Sequence, residues 1–362
     1  MPDTPGLLVH RITPLCQLQD LGRIGYQRFG VSRCGAMDPY SLSLANILAG
    51  NPQGEACLEF ALAGAVFEVT AERLHFAFVG NFPVLINDEP FPANASYTLA
   101  KGERLEIGAS DASTGTHGYL AVLGGFAAEP QLGSVSTHLR SGIGGFGGSR
   151  GDGSRRGAAP TDLTEAWVPP RSRRGAAPAS SPQRRQEVVG AAPRRDPRMG
   201  TVLPTKLNEA PLAIERQLPE NLLPQPASTI RAVPGPQTEF FSKDAIKEFF
   251  TTPWHITPAS DRMGYRLGGG TVEVKDAGSM ISEAVSPGSV QIPAGGEPIV
   301  LMADCGTVGG YPKIATVIGV DRGRLAQLRV GSEFQFKEVS VQDAQAALRE
   351  ERSRLGILEG NP

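Results

Sequence analysis

The chain has 362 residues, 40% of them hydrophobic and 20% charged, and so exceeds the roughly 250 to 300 residues at which a single core stops growing. Lys and Arg number 35 against 37 Asp and Glu, and the formal net charge of -2 excludes a global basic field that would collect nucleic acid or an anionic membrane. We therefore expect two domains, no nucleic-acid partner, and a small neutral or acidic substrate.

The amino-terminal half, residues 1–143, reads as short alternating strands broken by Gly, Pro, Asn or Asp, a pattern typical of barrels and sandwiches. One helix is predicted over Pro39–Leu48, because Asp38 can cap it and Pro39 suits the first helical position. The predicted strands are Leu7–Ile12, Ala65–Val69, Leu74–Val79, Pro83–Asn87, Arg104–Ile107 and Tyr119–Val122.

The composition changes abruptly from Gly144 to about Met199, where Arg-Arg-Gly-Ala-Ala-Pro occurs twice. Such a segment cannot build a core, so we predict a disordered Arg/Pro/Ala-rich linker or insertion over residues 144–228. A nucleic-acid or partner-binding arm is the alternative interpretation of its arginines.

The second half, residues 229–340, is predicted to begin with a strand at Ile230–Val233 and a helix at Asp244–Phe250, and to end in a strand at Glu333–Glu338. Residues 341–362 are predicted to form a terminal helix and tail. The helix is predicted over Ser340–Arg354 with Ser340 as its cap. Its expected apolar face comprises Val341, Ala344 and Leu348.

The cysteine pattern and the amino-terminal sequence indicate in which cellular compartment the protein is expected. Cys16, Cys34, Cys57 and Cys305 form no C-x-x-C pair, which argues against a zinc site and a secreted disulfide framework. The amino terminus lacks a basic and then apolar leader, and no run reaches the roughly 18 apolar residues of a membrane span. We expect a cytoplasmic protein with no membrane contact.

Several familiar motifs do not occur. There is no G-x-x-x-x-G-K-[ST] phosphate loop, G-x-S-x-G elbow or H-E-x-x-H pair. No metal site is predicted, because the five histidines have no metal-ligand spacing, and a structural role is favoured for each. They are His10, His75, His117, His138 and His255.

Four clusters of glycine, polar and charged residues remain as candidate site loops, at 19–38, 260–267, 281–293 and 304–315. In the first, glycines permit close backbone approach, while Arg23 and Arg33 offer guanidinium groups to a carboxylate or phosphate. A loop that only folds over a barrel end would also need these glycines.

Lys313, in the last cluster, follows a Gly-Gly turn and enters an apolar strand. Desolvation is expected to lower its pKa and make it a base, or to leave it a cation for a developing oxyanion. A lysine whose ammonium reaches the surface is the alternative.

The clusters and the helix that follows the first of them contain ordered motifs, among them Gln19-Asp20-Leu21-Gly22-Arg23, Gly35-Ala36-Met37-Asp38, Leu44-Ala45-Asn46, Ser260-Asp261-Arg262-Met263-Gly264-Tyr265-Arg266-Leu267 and Gly309-Gly310-Tyr311-Pro312-Lys313-Ile314-Ala315. With these motifs the sequence resembles the family variously called allophanate hydrolase subunit 2, biotin-dependent carboxyltransferase subunit or the C subunit of 5-oxoprolinase. The resemblance spans both halves and skips the middle. It departs at Cys34, where the family commonly has Ser, and at positions 305–308, where it commonly has Arg-Gln-Thr-Thr.

The resemblance implies a mainly β fold of two cyclophilin-like β-barrel domains with a few short helices. It also implies a subunit of an ATP-dependent 5-oxoprolinase that opens 5-oxoproline (pyroglutamate) to glutamate. The implied partners are a companion subunit of related cyclophilin-like fold and a LamB-type subunit. ATP belongs to the complex, since no nucleotide-binding loop is identifiable in this chain, and biotin is not attached here because the chain has no Met-Lys-Met motif.

Two other functions follow from the same resemblance. One is a carboxyltransferase subunit that moves a carboxyl group from carboxybiotin to urea or a related amide, and the other is a non-catalytic regulator that binds a kinase inhibitor. In the hydrolase hypothesis Lys313 stabilises the oxyanion, and Asp38 or Asp304 orients or deprotonates the water. Arg23 or Arg262 holds the substrate carboxylate. The full set of predicted substrate-binding residues is Arg23, Tyr26, Asn46, Arg262, Tyr265, Gln291, Gly309, Gly310 and Tyr311.

Overall fold

The computed structural model describes residues 4–111, 115–146, 199–211, 213–223, 227–275 and 280–359. Strands dominate both halves, which confirms the prediction of a mainly β protein. The first half contains β1 (Gly6–Ile12), β2 (Gln17–Gln19), β3 (Cys57–Ala61), β4 (Ala65–Val69), β5 (Arg73–Val79), β6 (Val84–Ile86), β7 (Glu89–Phe91), β8 (Ala95–Ala100), β9 (Arg104–Ile107), β10 (His117–Val122) and β11 (Val202–Pro204).

These strands form two antiparallel sheets, in the orders β11-β1-β4-β9-β6-β7 and β2-β3-β10-β5-β8. Successive side chains of a strand point to opposite faces, so alternate apolar residues of both sheets meet in one core. Phe67 of β4 lies in this core with Phe60 of β3 and Phe78 of β5. The ring of Phe60 lies 6.5 Å from that of Phe67 and 6.1 Å from that of Phe78. The aromatic side chains thus fill the space between the sheets.

The second half closes into the predicted barrel. Its strands are β12 (Thr229–Pro234), β13 (Pro253–Ile256), β14 (Gly264–Gly268), β15 (Glu283–Ala284), β16 (Ser289–Gln291), β17 (Ile299–Leu301), β18 (Val308–Gly309), β19 (Lys313–Val317) and β20 (Glu333–Glu338). The barrel order is β12-β19-β16-β17-β14-β13-β20, and parallel pairing of β12 with β20 closes it. Strands β15 and β18 pair separately.

Within the described ranges, four α-helices accompany the sheets: α1 (Pro39–Ala49), α2 (Lys243–Thr251), α3 (Gly319–Ala326) and α4 (Val341–Glu359). The predicted start of α1 is confirmed, since Pro39 is its first residue and Asp38 Oδ1 accepts from the Ser41 amide at 3.2 Å. Helix α1 is buried along most of its length, with Leu44 in a core that includes Ala77 and Tyr119 of the adjacent sheet.

The predicted linker is wrong for residues 199–211 and 213–223. Strand β11 pairs with β1 in the register Leu203 to Leu7. Farther along, the Ala210 amide donates to the Arg73 carbonyl at 2.9 Å. Backbone pairing with the sheet edges fixes this segment to the first half, although its composition gives no strand periodicity. The repeated Arg-Arg-Gly-Ala-Ala-Pro motifs lie outside the described residues.

The terminal helix begins as predicted, because Ser340 Oγ accepts from the Asp343 amide at 3.1 Å. Its predicted apolar face is buried only towards the carboxy-terminal end of the helix. Val341 is 51% exposed and Leu348 is 37% exposed, whereas Leu355, two turns after Leu348 on the same face, is buried in the core around α1. Contact with α1 and α3 determines which part of this face is buried. No helix in the described part of the chain is both long and apolar enough to cross a bilayer.

The two halves pack as one unit through α3. Gln327 Oε1 accepts from the amides of Thr116 and His117, each at 3.0 Å, and its Nε2 donates to Asp38 Oδ2 at 2.8 Å. Met37 of the first half lies in the core of the second. Direct hydrogen bonds and shared packing therefore hold the halves in a fixed relation.

A Gly323→Ala substitution in α3 tests this packing. An added Cβ would overlap Asp38 Oδ1 and lie 2.9 Å from its Cγ, so we expect unfolding free energy to fall by about 1 to 3 kcal/mol. Gly319→Ala in the same helix is the control, because its Cβ would meet nothing within 4 Å. Urea denaturation measures both. Equal stability of the two variants would contradict the proposed contact.

Candidate functional site

An arginine from the second half bridges carboxylates of both halves. Arg262 precedes β14, and its Nη1 pairs with Glu59 of β3. Its Nε donates to Asp304 Oδ2 at 2.9 Å, and its Nη2 donates to Asp304 Oδ1 at 3.0 Å and to the Gly35 carbonyl at 2.7 Å. Burial alone lowers the pKa of Arg262, but Glu59 and Asp304 outweigh it and raise that pKa above its ordinary value. The guanidinium is therefore a permanent cation whose bonding capacity the protein itself largely fills.

Glu59 extends this bridge into the first half. One of its oxygens accepts from the Met37 amide at 2.7 Å and from the Tyr119 hydroxyl at 2.8 Å. The Asp38 amide in turn donates to the Tyr119 hydroxyl at 2.8 Å. The network positions the loop that leads into α1. Glu59 was not among the predicted site residues, although a charged residue in the buried run Cys57–Ala61 was a usable signal.

A pocket of about 370 Å³ opens beside this bridge between the two halves, and we call it the inter-half pocket. Arg262, Asp304 and Tyr265 line it, so three predicted site residues meet there. Most of the remaining lining is apolar. The lining also includes Met37, Leu62, His117, His138, Leu328 and Arg329. A mostly apolar pocket with a few convergent polar groups is the usual form of a small-molecule site.

Lys313 lies in a separate polar group on the second barrel, the lysine cluster of Gln237, Glu283, Gln291 and Lys313. Its ammonium pairs with Glu283, and its amide donates to Gln237 Oε1 at 3.1 Å. Gln237 Nε2 also donates to Glu283. The hydrogen bond from Lys313 lowers the pKa of Glu283, so that carboxyl stays ionised. The Lys313 side chain is buried, whereas Glu283 is about half exposed.

Three further predicted residues, Gly309, Gly310 and Tyr311, lie beside Gln291 of the lysine cluster. Gln291 Nε2 donates to the Tyr311 carbonyl at 3.3 Å, and a side chain at Gly309 would collide with that amide. The Tyr311 side chain is 46% exposed beside Val308, which is 63% exposed. Gly310 stands between Gly309 and Tyr311. The structure thus brings Gln291, Gly309, Gly310, Tyr311 and Lys313 together on the second barrel.

Other predicted site residues have structural surroundings. Arg23 is fully buried, and its side chain donates to the carbonyls of Gln131 at 3.1 Å and Ser136 at 2.6 Å. Asn46 is fully buried and donates to the Glu55 carbonyl at 2.7 Å. Neither side chain presents a surface to a substrate in this arrangement. Both clamp loops, which argues against the predicted binding roles.

Asp38 and Tyr26 also lie apart from the inter-half pocket. Asp38 caps α1, and its Oδ2 accepts from Ser41 Oγ at 2.5 Å and from Gln327. Tyr26 stands in an outer loop with its ring 6.4 Å from that of Phe29, which is 48% exposed. The predicted residues therefore divide among several places.

Cys34 and Cys305 are both buried. Burial, with a smaller effect from Asp304, raises the pKa of each thiol to about 12. Both remain protonated near neutral pH and are poor nucleophiles. Among the described residues no group of three or more His, Cys, Asp or Glu side chains could hold a metal ion.

Comparisons with known proteins agree with this architecture. Residues 29–338 match the family model described as carboxyltransferase domain, subdomain A and B. The chain belongs to this family. It is 34% identical to the C subunit of 5-oxoprolinase from Haemophilus influenzae, over 90% of this chain and 89% of that protein. It is 31% identical to the Escherichia coli protein of the same name, over 92% of each.

Longer proteins contain similar regions. The Lachancea kluyveri urea amidolyase is 28% identical over 93% of this chain but only 17% of its own length. A crystal structure of TTHA0988 superposes with a TM-score of 0.70 at 30% identity, over 93% of this chain and 57% of that one. The Kluyveromyces lactis urea amidolyase reaches a TM-score of 0.78 at 23% identity, over 98% of this chain and 20% of that one, and shows the shared fold.

Removing the bridging cation should destabilise the protein strongly. Arg262→Met would leave Glu59 and Asp304 buried without their partner, and we expect a loss of about 3 to 5 kcal/mol of unfolding free energy. The control is Arg266→Met on the same segment, because Arg266 is exposed and should change stability by no more than about 0.5 kcal/mol. Urea titration followed by circular dichroism gives both values. A loss below about 1 kcal/mol for Arg262→Met would contradict this role.

Glu351 of α4 should make stability depend on pH. Burial, then Asp38 and Asp321, raise its pKa from the ordinary 4.5 to about 7, while Arg322 and Arg354 oppose the shift. The folded protein therefore binds a proton that the unfolded chain has released, and unfolding free energy should fall as pH rises from 4.5 to about 7. Glu351→Gln should flatten this slope in urea titrations across that range.

The matched control for Glu351→Gln is Glu350→Gln at the preceding, more exposed position. Glu350 pairs with Arg354 at the surface, and its substitution should leave the slope in place. Equal slopes for wild type and Glu351→Gln would show that Glu351 is not the titrating group.

Proposed function

We propose that this chain is a subunit of an ATP-dependent 5-oxoprolinase and that it supplies the pocket for the ring amide. The observation that carries the proposal is similarity along nearly the whole length of two proteins named as C subunits of 5-oxoprolinase, at 34% and 31% identity. The inter-half pocket supports it, because a mostly apolar pocket with few polar groups suits a small cyclic amide.

The reaction opens an amide ring. A phosphoryl group from ATP on the ring oxygen activates the carbonyl carbon, and ADP is released. A first water adds to that carbon, the carbon–nitrogen bond breaks, and the nitrogen leaves as the amine with a proton from the water. A second water releases phosphate and leaves the carboxylate of glutamate. The sequence has no phosphate loop of the G-x-x-x-x-G-K-[ST] type, so the proposal assigns ATP to a partner subunit.

Asp304 is the residue that we propose orients the attacking water. It lines the inter-half pocket, and Arg262 fixes both of its oxygens by hydrogen bonds of 2.9 and 3.0 Å. A carboxylate held in this way can still accept a hydrogen bond from a water on its remaining lone pairs and orient that water. Arg262 acts through Asp304 and is a positioning residue.

Lys313 is better assigned to positioning than to oxyanion stabilisation. Its ammonium is paired with Glu283 on β15, and β15 pairs with β18, in the register Glu283 to Gly309. The loop that begins at Asp304 runs directly into β18. We therefore propose that the pair of Lys313 with Glu283 fixes this loop and, through it, Asp304.

Carboxyl transfer is the second candidate. It is supported by the family description and by similarity to urea amidolyases. The chain has no Met-Lys-Met biotin-acceptor motif, so another protein would have to present carboxybiotin. The same pocket would then receive the acceptor amide.

The test is glutamate release from 5-oxoproline and ATP by this chain co-expressed with the products of its neighbouring genes. Asp304→Asn should lower kcat by about 100-fold or more, because the neutral amide cannot take a proton from water. Glu338→Gln, at an exposed position of β20, should match wild type. A folded complex without turnover that instead carboxylates urea from a carboxybiotin carrier would establish the second candidate.

A double-mutant cycle tests the role of Lys313. If Lys313 and Glu283 act as one positioning pair, Lys313→Met and Glu283→Gln should each lower kcat, and the double variant should lose little beyond the larger single effect. If Lys313 itself stabilised the oxyanion, Glu283→Gln would free its ammonium and preserve activity. Independent, multiplicative losses would contradict the pair.

A further inference from the structure

One histidine of the inter-half pocket has no hydrogen-bond partner for its ring. His138 is 5% exposed, and within the described part of the chain neither Nδ1 nor Nε2 has a partner. Buried polar atoms in native proteins almost always bond to protein or water, so an unpaired ring in a pocket wall points to something that the pocket receives. The backbone of His138 is fixed separately, since its amide donates to the Ile143 carbonyl at 2.9 Å.

The protonation state of His138 limits what it can recognise. Burial lowers its pKa, and the arginines Arg23, Arg262 and Arg140 act in the same direction, against an opposing effect of Asp304. The imidazole is therefore neutral near pH 7, with one nitrogen that donates and one that accepts. Such a ring suits an uncharged polar group, which it can bind through one nitrogen at a time, either as a donor or as an acceptor.

His117, on the same pocket wall, has a defined tautomer. Its Nδ1 lies 3.0 Å from the Ala326 carbonyl, which can only accept, so Nδ1 carries the proton. Burial lowers the pKa of His117, which leaves Nε2 as an acceptor near neutral pH. Two neutral imidazoles among Met37, Leu62 and Leu328 thus offer hydrogen bonds inside an apolar enclosure.

Arg329 supplies a positive charge at the same pocket. It is exposed and lines the pocket, and its guanidinium has no carboxylate or carbonyl within bonding distance in the described ranges. This distinguishes it from Arg262, whose charge Glu59 and Asp304 neutralise. An available guanidinium is the preferred partner of a carboxylate.

We infer that the inter-half pocket binds a ring amide that carries one carboxylate, with the amide held by His138 and the carboxylate by Arg329. This inference deepens the proposed function and rests on it for the identity of the ring. It replaces Arg23 and Arg262, the predicted carboxylate holders, with an arginine whose bonding groups are available.

Equilibrium binding without ATP tests the inference. Ligand-observed NMR titrations of the full chain and of its co-purified complex compare 5-oxoproline with 2-pyrrolidinone, which lacks the carboxylate, and with proline, which lacks the amide. We expect 5-oxoproline to bind best. His138→Leu should weaken 5-oxoproline and 2-pyrrolidinone by about tenfold or more, because the amide loses its hydrogen bonds.

Arg329→Met should weaken 5-oxoproline by about tenfold and leave 2-pyrrolidinone unchanged. Arg266→Met, another exposed arginine, is the matched control and should bind both as wild type does. Thermal denaturation separates binding from folding. Because the His138 ring loses no internal hydrogen bond, His138→Leu should melt at or above the wild-type temperature.

The inference is overturned if neither chain nor complex binds 5-oxoproline, or if His138→Leu binds it as wild type does. Its failure can be told apart from failure of the proposed function. Binding with the expected variant pattern but no glutamate release would refute the function and leave the pocket assignment. Normal turnover by His138→Leu would refute the assignment and leave the function.

Discussion

The ion pair of Arg262 with Glu59 and Asp304 is the constraint on which the remainder of the structure depends. It places one cation between a carboxylate of the first half and a carboxylate of the second, all three largely shielded from water. Desolvated charges of this kind are tolerated only when geometry and further hydrogen bonds compensate them. The Gly35 carbonyl and the Tyr119 hydroxyl provide that compensation. The bridge fixes the relation of the halves to each other, and with it the pocket between them.

The same bridge shows that an arginine in a motif is not necessarily the arginine that binds a ligand. Arg23 and Arg262 have the residue type that holds a carboxylate, yet Arg23 is fully buried with its Nε and Nη2 bound to backbone carbonyls, and Arg262 is paired with two carboxylates. Arg329 stands outside the conspicuous motifs, and its guanidinium has no such acceptors among the described residues. In this fold the charged residues of the motifs hold loops and the two halves together, and residues of less distinctive loops complete the lining of the pocket.

Helix α3 couples the pocket to the helical layer. Gln327 links Asp38 at the start of α1 with the amides of Thr116 and His117, and His117 lines the pocket. Polar groups of both halves therefore meet at one junction. Direct hydrogen bonds therefore connect α1 and α3 with the pocket wall.

The sequence by itself determined the mainly β class, the strands Ala65–Val69 and Glu333–Glu338, the start of α1 at Asp38 and the family, because these depend on local periodicity, capping and ordered motifs. It also identified Asp304 and Tyr265 for the pocket. Only the tertiary structure decided that the described residues of 199–211 and 213–223 join the first half and that the apolar face of α4 is buried at Leu355 but exposed at Val341. It also decided which arginine is available and that the His138 ring is unpaired within the described residues. These properties depend on contacts between residues distant in the chain, and neither composition nor spacing records such contacts.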